Sequence, residues 1–199
     1  MTIKSSGADH VLDSVSGEPA LVLATPGAEP LADGGFAGAL ILDTWLTLAR
    51  PDLRAPQEAV RRWINGAALV RPAAAGGRVV LVGDPGSGPV QALVRWDPEG
   101  HAARELGERA SAHLPPTVRL ATISGAATAV EEFIGALTVP ATAQLLGPVE
   151  TGEASVRMVI RTPLAHAVEL QRALSAALAN RAARKLAPVR VHVDPYDIS

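Results

Sequence analysis

The dipeptide Pro115-Pro116 separates two stretches whose apolar residues repeat differently, and that change of period limits the available folds more than any other feature. Two consecutive prolines remove two backbone donors and fix two φ angles, so neither a helix nor a central strand runs through them. Before them stand three short apolar runs: 20–25 (Ala-Leu-Val-Leu-Ala-Thr), 38–43 (Gly-Ala-Leu-Ile-Leu-Asp) and 78–83 (Arg-Val-Val-Leu-Val-Gly). Continuous runs of this length, bounded by Gly and Pro, predict buried strands. Between them, 55–71 places Val60, Trp63, Ile64, Ala67 and Ala68 at helical spacing, with Arg61 and Arg62 opposite. Pro89 suits a first helical turn, and Val90, Leu93 and Val94 continue the pattern to predict a helix over 87–96. Strand, helix and strand in alternation predict a parallel α/β sheet.

After the prolines, 118–124 alternates as a strand and 126–137 reads as a helix with Val130, Phe133, Ile134 and Leu137 on one face. Residues 144–150 and 155–161 read as a hairpin turning at Thr151-Gly152-Glu153. A long helix over 164–186 directs Leu170, Leu174, Ala177 and Leu178 inward, and 189–193 is a last strand. This order, β-α-β-β-α-β, is the split βαβ, ferredoxin-like plan. The expected fold class is therefore α/β in residues 1–97, a weakly apolar helical connector over 98–116, and a small α+β domain over 117–199.

Composition excludes several functions. The chain has 199 residues, no cysteine, 48% hydrophobic residues and no apolar run near the ~18 residues of a membrane span. Disulfides, a thiol nucleophile and Cys-containing zinc sites are thereby excluded. The first residues carry no apolar signal segment, which points to a soluble, cytoplasmic chain. Eighteen basic residues face 20 acidic ones, so the whole surface is no footprint for nucleic acid. The charge is unevenly spread, however. Residues 1–50 hold two basic and six acidic side chains, whereas 155–199, Asp197 included, hold seven basic and three acidic. Such asymmetry points to a polyanion-facing end.

Local motifs for catalysis are weak. Gly83-Asp84-Pro85-Gly86-Ser87-Gly88 lies between an expected strand and helix, where backbone N–H groups converge on phosphates. It lacks the Gly-Lys-Ser/Thr ending of a P-loop and the glycine spacing of a dinucleotide fingerprint. The five histidines are scattered singly, so no metal site is expected. Glu131 and Glu132 are adjacent on a helix and face apart, which suits a solvated edge better than a catalytic dyad. Arg181, Arg184 and Lys185 are spaced to share one helical face opposite Leu174 and Leu178, an expected patch for DNA phosphates or an acidic tail.

A set of ordered segments does carry a resemblance. These are 22–30 (Val-Leu-Ala-Thr-Pro-Gly-Ala-Glu-Pro), Ala32-Asp33-Gly34-Gly35, Leu42-Asp43-Thr44-Trp45 and Arg50-Pro51-Asp52-Leu53-Arg54-Ala55. They continue through Arg71-Pro72, Gly77-Arg78-Val79-Val80, Arg95-Trp96-Asp97, Leu114-Pro115-Pro116, Leu146-Gly147-Pro148-Val149 and Val193-Asp194-Pro195. Together they resemble the actinobacterial branch of the primosomal protein N′ family of helicase-like replication-restart proteins.

The resemblance implies that the chain is the C-terminal part of a longer protein, so that Met1 is not its natural start. Residues 1–97 would be part of the second helicase lobe and 117–199 the family's ribosomal-protein-S10-like domain. The family's ATP and zinc sites would lie upstream, leaving this chain without a cofactor. Where helicase-active members read roughly Gly-Thr-Gln-Met-x-Ala-Lys-Gly, this chain has Ala24-Thr25-Pro26-Gly27-Ala28-Glu29-Pro30. Where they carry Gln-x-x-Gly-Arg-Ala-Gly-Arg, it has Asn65-Gly66-Ala67-Ala68-Leu69-Val70-Arg71, with Arg71 the one remnant of an arginine finger. Such a finger stabilises charge on a transferring phosphoryl group, so its loss implies no ATP hydrolysis.

The resemblance further implies a DNA-binding part of the primosome that recognises stalled forks or single-stranded DNA, associates with the nucleoid and meets no membrane. Arg157, Arg161, Arg181, Arg184 and Lys185 are the expected phosphate contacts. Gln171 and Arg172 are the expected contacts for the acidic tail of single-stranded-DNA-binding protein, although Ala167 stands where the family has an arginine. Other primosome proteins would be partners as well. Two alternatives stay open: an ATP-dependent 3′→5′ DNA helicase, and a protein-interaction module without DNA contact. Steep salt dependence of binding belongs to the phosphate-contacting readings alone.

Overall fold

The computed structural model describes residues 2–152 and 154–196. Met1, Glu153 of the expected turn and Asp197 of the charge count lie outside them. The chain divides into two units between Ala103 and Arg104.

The first unit contains β1 (Thr2–Ser6), β2 (Ser14–Val15), β3 (Ala20–Ala24), β4 (Leu31–Ala32), β5 (Gly38–Ile41), α1 (Thr44–Leu48), α2 (Ala55–Ala68), β6 (Arg78–Leu81) and α3 (Gly88–Arg95). It also holds the start of α4 (Pro98–Ser111), which the division crosses. Pro56 and Pro89 open α2 and α3, where a missing N–H costs no helical bond. Trp63, Ala59 and Ala67 of α2 pack with Val90 and Leu93 of α3, and Ile41 and Leu81 from β5 and β6 join this core.

Two expectations for this unit need correction. The three apolar runs do not make one parallel sheet. β5 pairs with β6 in parallel, as a strand-helix-strand unit should, but β3 pairs with β1 and β2 with β4. Nor are the strands buried. On the paired row beside Ile41 and Leu81, Leu40 and Val80 are 60% and 53% exposed. The helices cover one side of β5 and β6. A continuous apolar run signals a strand that can be covered on both faces, and here the second cover is not among the described residues.

Sequence reading also left α1 unassigned, and its start is built from tertiary contacts. Asp43 adopts a left-handed conformation, and buried Thr44 donates from Oγ1 to the Val82 carbonyl at 2.8 Å. Gly83 packs so closely there that a Cβ would lie 2.4 Å from that hydroxyl.

The second unit contains β7 (Val118–Ala126), α5 (Ala127–Gly135), β8 (Gln144–Gly152), β9 (Ser155–Pro163), α6 (Ala167–Ala183) and β10 (Arg190–Val193). The element order is β-α-β-β-α-β, and the antiparallel sheet runs β10-β7-β9-β8. Ile123, Ile160, Val130, Phe133, Leu170 and Leu174 form its buried core between this sheet and the two helices. Burying each such side chain contributes roughly 1.5–3 kcal/mol before chain entropy is counted. A bulge between Leu146 and Val149, at Gly147-Pro148, bends the exposed edge strand β8.

The end of α6 differs from the expected helix over 164–186. A 3₁₀ turn (Leu164–His166) precedes the helix, and α6 stops at Ala183. Lys185 has φ 53°, its N–H donates to the Ala182 carbonyl, and the Leu186 N–H reaches back to the Arg181 carbonyl. This is a Schellman ending with lysine in the place usually given to glycine.

Candidate nucleic-acid and partner interface

Strand alternation in the second unit sorts its side chains onto two faces. Met158 and Ile160 of β9, with Ala121 and Ile123 of β7, turn toward α5 and α6. Their sequence neighbours therefore form the other face. Three rows cross the sheet there, read from β10 to β8: Arg190, Ser124, Arg157 and Val149; His192, Thr122, Val159 and Leu146; and Leu120, Arg161 and Gln144.

Among the described residues no acidic side chain stands at the paired positions of these rows, but Asp194 extends the third row, its N–H donating to the Leu120 carbonyl at 2.8 Å. Asp194, just past β10, is ion-paired with Arg119. Arg161 is partly engaged, because Nε donates to Gln144 Oε1 at 3.1 Å and Nη1 to the His113 carbonyl at 3.1 Å. Arg157 is half-buried at the centre of the face, while Arg190 and His192 are exposed on β10. Sequence reading named Arg157 and Arg161 but missed Arg190 and His192. The signal was available in the alternation of Arg190-Val191-His192-Val193, where Val191 packs against the core and so places Arg190 and His192 on the other face.

The expected partner contacts lie elsewhere. Val168, Gln171, Arg172 and Ser175, at i, i+3, i+4 and i+7 on α6, line a shallow open cleft of about 360 Å³. Gln171 and Arg172 are exposed there. The helix layer separates this cleft from the sheet rows, so the structure makes two surfaces from the expected residues.

The patch of Arg181, Arg184 and Lys185 is not formed, which corrects the expectation of one shared face. Arg181 is seven residues beyond Leu174 and so falls on the same inward stripe, where it is 7% exposed. Its Nε donates to the Ala187 carbonyl at 2.5 Å and its Nη2 to Glu132 Oε2 at 3.3 Å. Arg184 caps the helix, and Lys185 turns away in the left-handed conformation. Only the latter two are exposed.

In the first unit, Arg71 lies past the end of α2, exposed, with its N–H donating to the Phe36 carbonyl at 3.0 Å. A Cβ on Gly77 would sit 1.8 Å from the Arg71 carbonyl oxygen, so only glycine fits against this strap. The 83–88 loop closes on itself: Asp84 Oδ1 accepts from the Gly86 N–H at 2.8 Å, and Gln91 donates to the Pro85 carbonyl. On α2, Glu58 accepts from Arg61 and Arg62, and these hydrogen bonds hold its carboxyl down at about 2. Among the described residues no group of three or more His, Asp or Glu could hold a metal ion, and no helix is long and apolar enough to cross a membrane.

The β-α-β-β-α-β unit is the part of the chain that a family model matches. Residues 110–196 match the family model of the primosomal protein N C-terminal domain. The similarity reaches the whole chain. It is 40% identical over 211 residues to the "Probable replication restart protein PriA" of Mycobacterium leprae, covering 100% of this chain and 32% of that protein. Against the protein of the same name from Mycobacterium tuberculosis (strain CDC 1551 / Oshkosh) the identity is 39% over 214 residues, covering 98% of this chain and 33% of the relative. The chain thus spans about a third of the length of these relatives and is similar to their C-terminal part.

Proposed function

We propose that this chain is a DNA-binding, partner-assembling part of the replication-restart machinery, acting at stalled forks or single-stranded DNA in the nucleoid without hydrolysing ATP itself. The observation that carries the reading is the distribution of charge in the second unit, where Arg190, Arg157 and Arg161 share one sheet face and the carboxylate at its margin, Asp194, is paired with Arg119. In this reading the first unit is a fragment of a helicase second lobe and the second an S10-like domain. Arg157, Arg161, Arg184 and Lys185 contact phosphates, which fixes position on DNA but reads no sequence. Arg181 leaves that set, because its guanidinium is committed to Ala187 and Glu132. The α6 cleft at Gln171 and Arg172 receives the acidic tail of single-stranded-DNA-binding protein, the cation meeting its carboxylates. The eroded segment ending at Arg71 supports the absence of ATP hydrolysis.

Salt titration on forked DNA tests this. Four phosphate contacts give a log–log slope near −3.6, a loss of affinity on the order of 10²-fold between 50 and 200 mM salt. A loss below about tenfold over that range refutes the phosphate-contact reading. DNA-stimulated phosphate release by the purified chain refutes the absence of hydrolysis.

A further inference from the structure

The first row of the open face has a specific arrangement. Arg190 and Arg157 flank Ser124, each one strand away, so the two arginine positions are about 10 Å apart across the sheet. Arg161 lies four residues along β9 from Arg157, about 13 Å away. Between these cations are a hydroxyl at Ser124 and the aliphatic Val159 and Leu146 of the next row. Guanidinium forks beside a hydroxyl suit phosphate oxygens, and the aliphatic row gives a strand's bases an apolar surface.

We propose that the open face of the four-stranded sheet is a platform for single-stranded nucleic acid, with Arg190, Ser124 and Arg157 gripping its phosphates. The proposal rests on the DNA-binding reading above and adds to it the form of the ligand and the residues Arg190 and Ser124. Charge complementarity selects the occupant, since the paired positions of the first two rows hold Arg190, Arg157 and His192 and no acid. The sheet face also lacks the protruding helix that enters a duplex major groove. Without Phe, Tyr or Trp in the rows, the platform follows the backbone and shows little base preference.

The test is fluorescence anisotropy of a labelled oligothymidylate of roughly 20 nucleotides with the whole chain, between 50 and 200 mM salt. Arg190→Ala and Arg157→Ala are each expected to weaken binding about fivefold at 0.1 M salt and to reduce the salt slope by about 0.7. Ser124→Glu places a carboxylate between the two arginines. It is expected to weaken binding at least as much while leaving the melting temperature unchanged or higher, which separates lost binding from lost folding. Arg95→Ala, which removes a cation from the first unit, is expected to change nothing.

Three results overturn the proposal while leaving the DNA-binding reading intact. One is wild-type affinity in all three sheet variants. Another is binding to duplex or forked DNA but not to oligothymidylate. The third is displacement of the oligonucleotide by an equimolar polyglutamate peptide, which would assign the face to an acidic protein partner. Failure of the wild-type chain to bind any DNA refutes the DNA-binding reading itself, and the platform with it.

Discussion

Replacing Arg181 separates a surface cation from a structural one. In the second unit its guanidinium donates to the Ala187 carbonyl, which ties the segment after α6 to the helix, and to Glu132 on α5. A hydrogen bond from a charged donor contributes about 1.5–3 kcal/mol. Ala187 is exposed, so water takes over part of that bond when the arginine is removed, and the lower end of the range applies. The Glu132 carboxylate is 63% exposed, and its pairing adds well under about 1 kcal/mol. Arg181→Met keeps most of the buried stem and is expected to cost about 1.5 kcal/mol. Arg181→Ala loses the stem as well and is expected to cost about 3 kcal/mol, each buried methylene adding roughly 0.8. Arg184→Ala, on the exposed cap, should stay within about 0.5 kcal/mol. The readout is hydrogen exchange of the β7 and β9 amides in increasing urea. Trp45, Trp63 and Trp96 all lie in the first unit, so their fluorescence transition serves as an internal control that should not move. If Arg181→Ala costs no more than Arg184→Ala and lowers DNA affinity instead, the structural role is refuted.

Three further outcomes are expected. Glu58 has its carboxyl pKa depressed to about 2 by hydrogen bonds from Arg61 and Arg62, so it contributes stability above the ordinary carboxylate pKa and loses it as pH falls from about 4.5 toward 2. Because Arg61 is largely exposed, about 1 kcal/mol is expected rather than the full shift, and Glu58→Gln should flatten the acid limb of the Trp63 fluorescence transition. Gly77→Ala drives a Cβ into the Arg71 carbonyl and should destabilise the first unit by about 1–3 kcal/mol or more in urea, leaving β7 and β9 exchange unchanged. Lys185→Gly relieves the left-handed strain at the end of α6 and should slow exchange in the second unit by the equivalent of about 1 kcal/mol.

The second unit was legible because its signals are local and agree with one another. Alternation in β7 and β9, the stripe of Leu170 and Leu174, and the turn between β8 and β9 each depend on neighbours within a few residues. Element order therefore followed from sequence, and strand order required only the sheet. The first unit was harder to read because β1 has no apolar pattern: Thr2, Lys4 and Ser5 pair with Ala20, Val22 and Leu23 through backbone alone. α1 was hidden for a related reason, since Thr44 begins it by bonding to Val82, a residue 38 positions away. No local window contains that contact.

The arginines show the same limit at the level of function. Sequence marks sixteen of them, and their spacing along an assumed helix suggested a patch at 181, 184 and 185. Two things decided otherwise: the helix ends at Ala183, and the seven-residue step from Leu174 returns Arg181 to the core stripe. A buried guanidinium must have its donors satisfied within the protein, so Arg181 is held by Ala187 and Glu132 and is not offered to a ligand. Arg161 is intermediate, with three hydrogen bonds to Gln144 and His113 inside the unit and a half-buried position on the sheet. Arg190 has the opposite history. Alone in sequence it is one cation near the end of the chain, yet the pairing of β10 with β7, and β7 with β9, sets it in the same row as Arg157. What each arginine can bind is thus set by register and helix length, and those are the quantities that the Ser124→Glu and Arg181→Ala variants probe.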